Sequence, residues 1–175
     1  NRDGSVITGA SSNSYTLIQD DVGSIITVTA SHMDGEGTAE TATSTGTSQV
    51  ANVNDLPTGS VSITGTATED EVLTASSTLA DADGLGTISW QWSRAGVAID
   101  GETTSTYTLT QDDVDAVITV TASYTDAEGT AESVDSSFTA AVANVSHSTT
   151  GEVLITGTPE EDQVLTASNT LADAD

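Results

Sequence analysis

The chain has no cysteine, so it can form neither a disulfide nor a thiolate metal site. It has no lysine either, and its only arginines are Arg2 and Arg94. Against them stand 27 carboxylates, for a net charge of −25. A surface of that sign excludes nucleic acid and anionic membrane as partners, since both need a basic face. It favours a cation partner, a saline medium or simple solubility. Aromatic residues are 3% of the chain, too few to line a sugar-stacking cleft. No apolar run approaches the ~20 residues of a membrane-spanning helix, and no signal-like stretch follows Asn1.

Threonine, serine, valine and alanine supply most of the sequence. Threonine and valine suit strands. Turn residues recur at short intervals and no long helical periodicity is present, so the composition predicts an all-β protein.

The stretch NVNDLPTG (52–59) returns, degraded, as NVSHSTTG (144–151). The spacing is 92 residues, and it runs through the whole chain: residues 1–52 align without gaps to 93–144, and 53–83 to 145–175, with more than half of the positions identical. The sequence is therefore a tandem array. It holds the second part of one repeat (1–52), a complete repeat (53–144) and the first part of another (145–175). It ends at Asp175 inside the motif LADAD, and we expect it to be a segment of a longer polypeptide.

Alternation and turn signals place seven strands in the complete repeat, at 60–65, 71–79, 87–93, 97–99, 105–110, 116–124 and 130–138. In the third, Ile88, Trp90 and Trp92 fall on one face. Short strands at this spacing predict a two-sheet sandwich. The expected core is Ile63, Val72, Leu73, Leu79, Ile88, Trp92, Ile99, Tyr107, Leu109, Val114, Ile118 and Val120.

The run ISWQWSRAGVAIDGETTSTYTLTQDDVDAVITVTASYTDAEGTA resembles the second half of a bacterial immunoglobulin-like domain. Trp92, four residues before Gly96, resembles the core tryptophan of that fold, and the turn QDDVDA resembles its corner. The cysteine pair is missing, and no tyrosine stands at the corner before the sixth strand. The whole unit with its linker VANVNDLPTG is similar to extender repeats of giant bacterial surface adhesins of the type I-secreted (RTX or VCBS) class. The glycine-rich nonapeptide of RTX toxins is absent. The resemblance implies tandem immunoglobulin-like or cadherin-like β-sandwiches on an extracellular bacterial surface.

In that topology the carboxylates sort to two poles. Asp81, Asp83, Asp126 and Glu128 share the pole that meets the preceding linker, where Asn54 and Asp55 lie. Glu69, Asp70, Glu71, Asp112, Asp113 and Asp115 share the other. At each junction two acidic poles face one another. The preceding repeat supplies Asp20 and Asp21 at the first, and the next repeat supplies Asp173 and Asp175 at the second. Ca²⁺, a hard cation taking six to eight oxygens, resolves the repulsion. The layout resembles cadherin junctions, with NVNDLP in the linker's place. DADG is not an EF-hand, because its twelfth position falls on Trp92. The second linker departs from the first: His147 replaces Asp55 and Ser146 replaces Asn54. If calcium fails there, the joint should act as a hinge. Solvated turns account for the same residues without any ion.

Other chemistries fit poorly. His32 and His147 have no cysteine or second histidine at ligand spacing, so no zinc site is expected. No GxSxG elbow occurs, and Asp112–Asp113 lies in a turn rather than a cleft. Without lysine, the intramolecular isopeptide bonds of some surface repeats cannot form. We expect no enzyme. The sequence reads as a structural spacer whose partners are neighbouring repeats of its own chain. Alternatives are a glycan- or cell-binding adhesive module, or a filament subunit that self-assembles by strand exchange between partial repeats.

Overall fold

A computed structural model describes residues 1–173 and 175. Apart from two short 3-10 turns, at Gln19–Asp21 and Gln111–Asp113, the regular structure of these residues is β. None of their helices is long and apolar enough to cross a membrane. Contacts divide the chain into two compact units.

The first unit comprises Asn1–Thr58, Ala80–Gly86 and Thr125–Glu132. Its hairpin pairs β1 (Thr29–Met33) antiparallel with β2 (Ala39–Thr43). The Asp34 carboxylate closes the turn by accepting from the Glu36 and Thr38 amides at 2.9 and 2.8 Å. The second unit comprises Gly59–Leu79, Thr87–Tyr124 and Ser133–Asp175.

Within the complete repeat all seven expected strands form: β3 (Val61–Thr64), β4 (Val72–Ser77), β5 (Ser89–Arg94), β6 (Val97–Ala98), β7 (Thr106–Thr108), β8 (Ile118–Thr125) and β9 (Ala131–Asp135). They make two antiparallel sheets, ordered β3-β4-β7 and β6-β5-β8-β9. The inner faces share one apolar cluster, which gives the repeat its β-sandwich character. Leu73 and Ala75 of β4 meet Trp92 of β5 and Ile118, Val120 and Ala122 of β8 in that cluster, with Ile88 and Trp90 packed at its margin. Trp92 is fully buried, donates its indole N–H to the Thr104 carbonyl at 2.8 Å and lies against Tyr107 with ring centroids 5.6 Å apart.

Two expectations about the core change. Val72 is 49% exposed. In β4 the side chains alternate, and register places Leu73 opposite Tyr107 on the inner face, so its neighbour Val72 faces solvent. Val142, beyond the last strand, is buried instead, through a parallel bridge to Val114.

The linker glycine has a steric reason. Gly59 sits at φ +93°, and a Cβ there would fall on the Thr78 carbonyl oxygen; Gly151 repeats the geometry at φ +96° against Thr170. The last two strands, β10 (Val153–Thr156) and β11 (Thr166–Asn169), form a hairpin equivalent to β3–β4. Val153 is 66% exposed, whereas its counterpart Val61 is 6% exposed. Burial of these residues therefore comes from the opposing sheet, which 145–175 alone do not contain.

Candidate functional site

The acidic turns gather around the two linkers. At the first, Asp81 and Asp83 lie in the β4–β5 connection and Asp126 opens the β8–β9 turn. Asp81 Oδ1 accepts from the Asp83 amide at 2.9 Å, and the Asp83 carbonyl accepts from the Ala127 amide at 3.2 Å, which joins the two loops. Asp126 Oδ1 accepts from the Thr130 amide at 2.7 Å. The linker enters through Asp55, whose amide donates to Asp83 Oδ2 at 2.6 Å, and through Asn54, whose amide side chain donates to Glu132 Oε1 at 2.8 Å. Glu128 is exposed at the turn tip.

Asp83 and Asp126 are 3% and 6% exposed, yet Asp83 Oδ1 and Asp126 Oδ2 are buried with no hydrogen-bond partner. A buried carboxylate oxygen without a partner carries a desolvation cost. Both oxygens lie on the loops at the pole that the linker enters.

Asp21 and Asp113 behave differently from expectation. Both were expected as ligands, and both are fully buried with every oxygen already engaged. Asp113 Oδ1 accepts from Arg94 Nε at 2.7 Å, while Oδ2 accepts from the Tyr107 hydroxyl (2.7 Å), the Thr110 amide (2.8 Å) and the Thr110 hydroxyl (3.1 Å). Asp21 repeats the pattern with Arg2 (2.8 Å), Tyr15 (3.0 Å) and the Ile18 amide (2.9 Å). Burial pushes the Asp113 carboxyl up, but the bonds from Arg94, the Thr110 amide and Tyr107 outweigh it and hold the group below the usual aspartate range. These residues pin a 3-10 turn to a strand end; they are not free to bind an ion. A tyrosine thus does tie the corner, but from β7. The signal was present in the sequence: the arginine, tyrosine and aspartate each recur at the 92-residue spacing.

Asp20 and Asp112 are exposed beside the same arginines, at 3.7 and 3.8 Å. Glu71 is exposed, with its backbone paired to Leu109.

At the second linker a compact group forms. Glu69 is buried; its Oε2 accepts from the Val145 amide at 3.1 Å, and its own amide donates to the Ala143 carbonyl. The Gln111 side-chain nitrogen, turned toward Glu69, lies 2.9 Å from Oε1 and 3.3 Å from Asn144 Oδ1. His147 enters between carboxylates. Its Nδ1 is 3.0 Å from Asp175 Oδ1 and 4.0 Å from Glu69 Oε1, and its Nε2 is 3.1 Å from Asp70 Oδ2. Hydrogen bonding to Asp175 and to Asp70 raises the imidazole pKa. Asp173 accepts from the Thr149 hydroxyl at 2.9 Å.

Among the described residues, Glu69, Asp70 and His147 are the side chains able to hold a metal ion as a group of three, with one donor atom from each within 4.8 Å of the other two. The sequence placed Glu69 and Asp70 at the junction whose linker carries His147; what the fold adds is that the imidazole meets these carboxylates directly.

No protein-family model, curated protein or solved structure matches the chain.

Proposed function

We propose that this chain is a spacer segment of a large extracellular adhesin: immunoglobulin-like or cadherin-like sandwiches in tandem, with Ca²⁺ stiffening the joint at the first linker. The observation that carries the reading is the pair of orphaned, buried oxygens, Asp83 Oδ1 and Asp126 Oδ2, at the pole the linker enters. The 92-residue repetition and the −25 charge support it. Asp83 and Asp126 are the residues proposed to meet the ion, with Asp81, Asn54 and Asp55 on the neighbouring turn and linker; their carboxylates do not converge as closely as the Glu69–Asp70–His147 group, so water would supply much of the coordination. Six to eight oxygen ligands satisfy calcium, and water completes such a set. Repetition supplies length, and the dense negative surface discourages neighbouring repeats from associating.

Thermal unfolding by calorimetry tests the reading, with calcium and then with chelator at matched ionic strength. We expect a rise in midpoint with Ca²⁺ that neither Mg²⁺ nor NaCl reproduces. A midpoint that follows ionic strength alone overturns the calcium joint.

A second reading has its own observation. Leu17 and Val28 in the first partial repeat are 50% and 63% exposed, although their counterparts Leu109 and Val120 are core residues. The hairpin β10–β11 exposes the complementary face. Strand exchange between copies would cover both and build a filament. Concentration-dependent polymer on size exclusion, lost on deletion of 145–175, supports it; a monomer at all concentrations removes it.

A further inference from the structure

The two joints share a backbone frame but differ in donor chemistry. In the first, the Asp55 amide donates to Asp83 Oδ2 at 2.6 Å; in the second, the His147 amide donates to Asp175 Oδ2 at 2.9 Å. Residue and acceptor are both displaced by 92 positions, so His147 occupies the place of Asp55 in an equivalent linker turn. What changes is the side chain, from a hard carboxylate to an imidazole.

We propose that the second joint is a binding site for an imidazole-preferring divalent cation of the zinc class, held by His147, Asp70 and Glu69, with Asp175 orienting the histidine. This goes beyond the calcium spacer reading and does not depend on it. A neutral imidazole carries one N–H. With Nδ1–H donated to Asp175 Oδ1 at 3.0 Å, the Nε2 lone pair faces the Asp70 carboxylate 3.1 Å away. Two lone pairs at that separation are held together either by a proton, which makes His147 an imidazolium bridge between the two carboxylates, or by a cation that takes the proton's place on Nε2. Ligands bonded to Zn²⁺ at about 2.0–2.1 Å in a tetrahedron stand roughly 3.3 Å apart, close to the spacing found. A histidine whose second nitrogen is fixed by a carboxylate is the usual arrangement around zinc, because the carboxylate sets the tautomer and raises ligand basicity.

One donor atom each of Glu69, Asp70 and His147 lies within 4.8 Å of the others; Glu69 Oε1 is 4.0 Å from Nδ1 and would move in to join the ion. Glu69 is buried at the floor of the group, its Oε2 anchored by the Val145 amide. Asp70 adopts a left-handed backbone conformation, φ +65°, at the tip of the β3–β4 turn, and it carries the exposed carboxylate of the set. Three protein ligands with water in the fourth position make an open zinc site. Calcium has little use for an imidazole nitrogen, whereas zinc-class ions favour it. The group is thereby selective by donor type. Sequence reading argued against zinc for want of a second histidine; carboxylates from a distant turn supply the missing ligands.

The test is calorimetric titration of ZnCl2 into the full 175-residue chain with calcium in excess to occupy oxygen-only sites. It is run in parallel with NMR of the two histidine imidazoles. His32, 3.3 Å from Glu40 on the first hairpin, serves as the internal control for adventitious histidine–carboxylate binding. We expect one zinc per chain, with the His147 resonances shifted and those of His32 unmoved. His147→Ala should weaken the site more than about tenfold, and Asp175→Asn by about ten- to a hundredfold. His147→Asp should lose zinc and leave an oxygen-only joint. Unchanged tryptophan fluorescence, from Trp90 and Trp92, in each variant establishes that the sandwich is folded. Zinc that binds equally well to His147→Ala, that shifts His32 alike, or that calcium displaces from His147 overturns the proposal. So does an imidazolium bridge that takes no zinc at all. None of these results bears on the midpoint shift at the first joint, so each reading fails separately.

Discussion

Arg94 Nε donates to Asp113 Oδ1 at 2.7 Å, and Arg2 makes the same bond to Asp21 at 2.8 Å one repeat earlier. The chain's only two arginines are thus spent on one structural task, fastening a strand end to a buried aspartate in a 3-10 turn. Truncating the cation leaves the aspartate charged, buried and short of a partner. Arg94→Ala should therefore cost about 3–5 kcal/mol in the complete repeat, measured by denaturant unfolding. Arg2→Ala should cost far less, because no opposing sheet covers the equivalent core residues there. Equal costs in the two variants would show that the staple does not depend on a closed sandwich.

The same pair sets a pH dependence with a definite sign. Asp113 has a folded-state pKa below its unfolded value of about 3.9. The stability it contributes is fully present above about pH 3.9 and is lost as pH falls through the lower folded-state value. The difference in stability between the unmodified chain and Arg94→Ala should therefore be largest near neutral pH and shrink on acidification, beginning where Asp113, pushed up by burial once Arg94 is gone, takes up its proton in the folded variant. Working with the difference removes the background effect of 27 carboxylates, whose mutual repulsion is relieved by acid. A difference that grows on acidification contradicts the assignment.

Adjacent residues of β4 separate core from surface. Leu73 is 1% exposed inside the cluster, and Val72 is 49% exposed. Leu73→Ala should destabilise by about 2–5 kcal/mol, while Val72→Thr should change stability by no more than about 0.5 kcal/mol. Urea unfolding followed by tryptophan fluorescence, from Trp90 and Trp92 together, reads both. Comparable losses would mean that the register of β4 against β7 is shifted by one residue.

Val72 also shows where sequence reasoning stops. Period-two alternation located all seven strands, because half-buried strands leave that pattern in any single segment. It could not choose between Val72 and Leu73, since two apolar neighbours are compatible with either register. Pairing to Tyr107 decides it. The poles were legible for a similar reason: turn residues are local, and strand order fixes the end at which each turn lies. The roles of individual carboxylates were not. Asp112 and Asp113 are adjacent and chemically alike, yet one is exposed and the other fully buried among three partner residues. His147 was placed at the same junction as Asp70 and Asp175, but topology alone does not show that its two ring nitrogens meet one carboxylate each.

The orphaned oxygens give the most direct prediction about calcium. Asp126 Oδ1 already accepts from Thr130, so Asp126→Asn keeps that bond and exchanges the buried charge for a neutral amide nitrogen. In chelator the variant should be at least as stable as the unmodified chain, because an unpaired buried carboxylate is costly. In calcium the order should reverse. An ion that binds only the folded state adds about 2.7 kcal/mol at a hundred times its dissociation constant, and the variant forfeits that gain. Asp83→Asn should behave alike, since its Oδ2 bond to the Asp55 amide survives the exchange. The crossing of the two melting curves between chelator and calcium is what distinguishes a bound ion from a structural aspartate. A variant destabilised equally in both conditions would place Asp126 among the latter, beside Asp113.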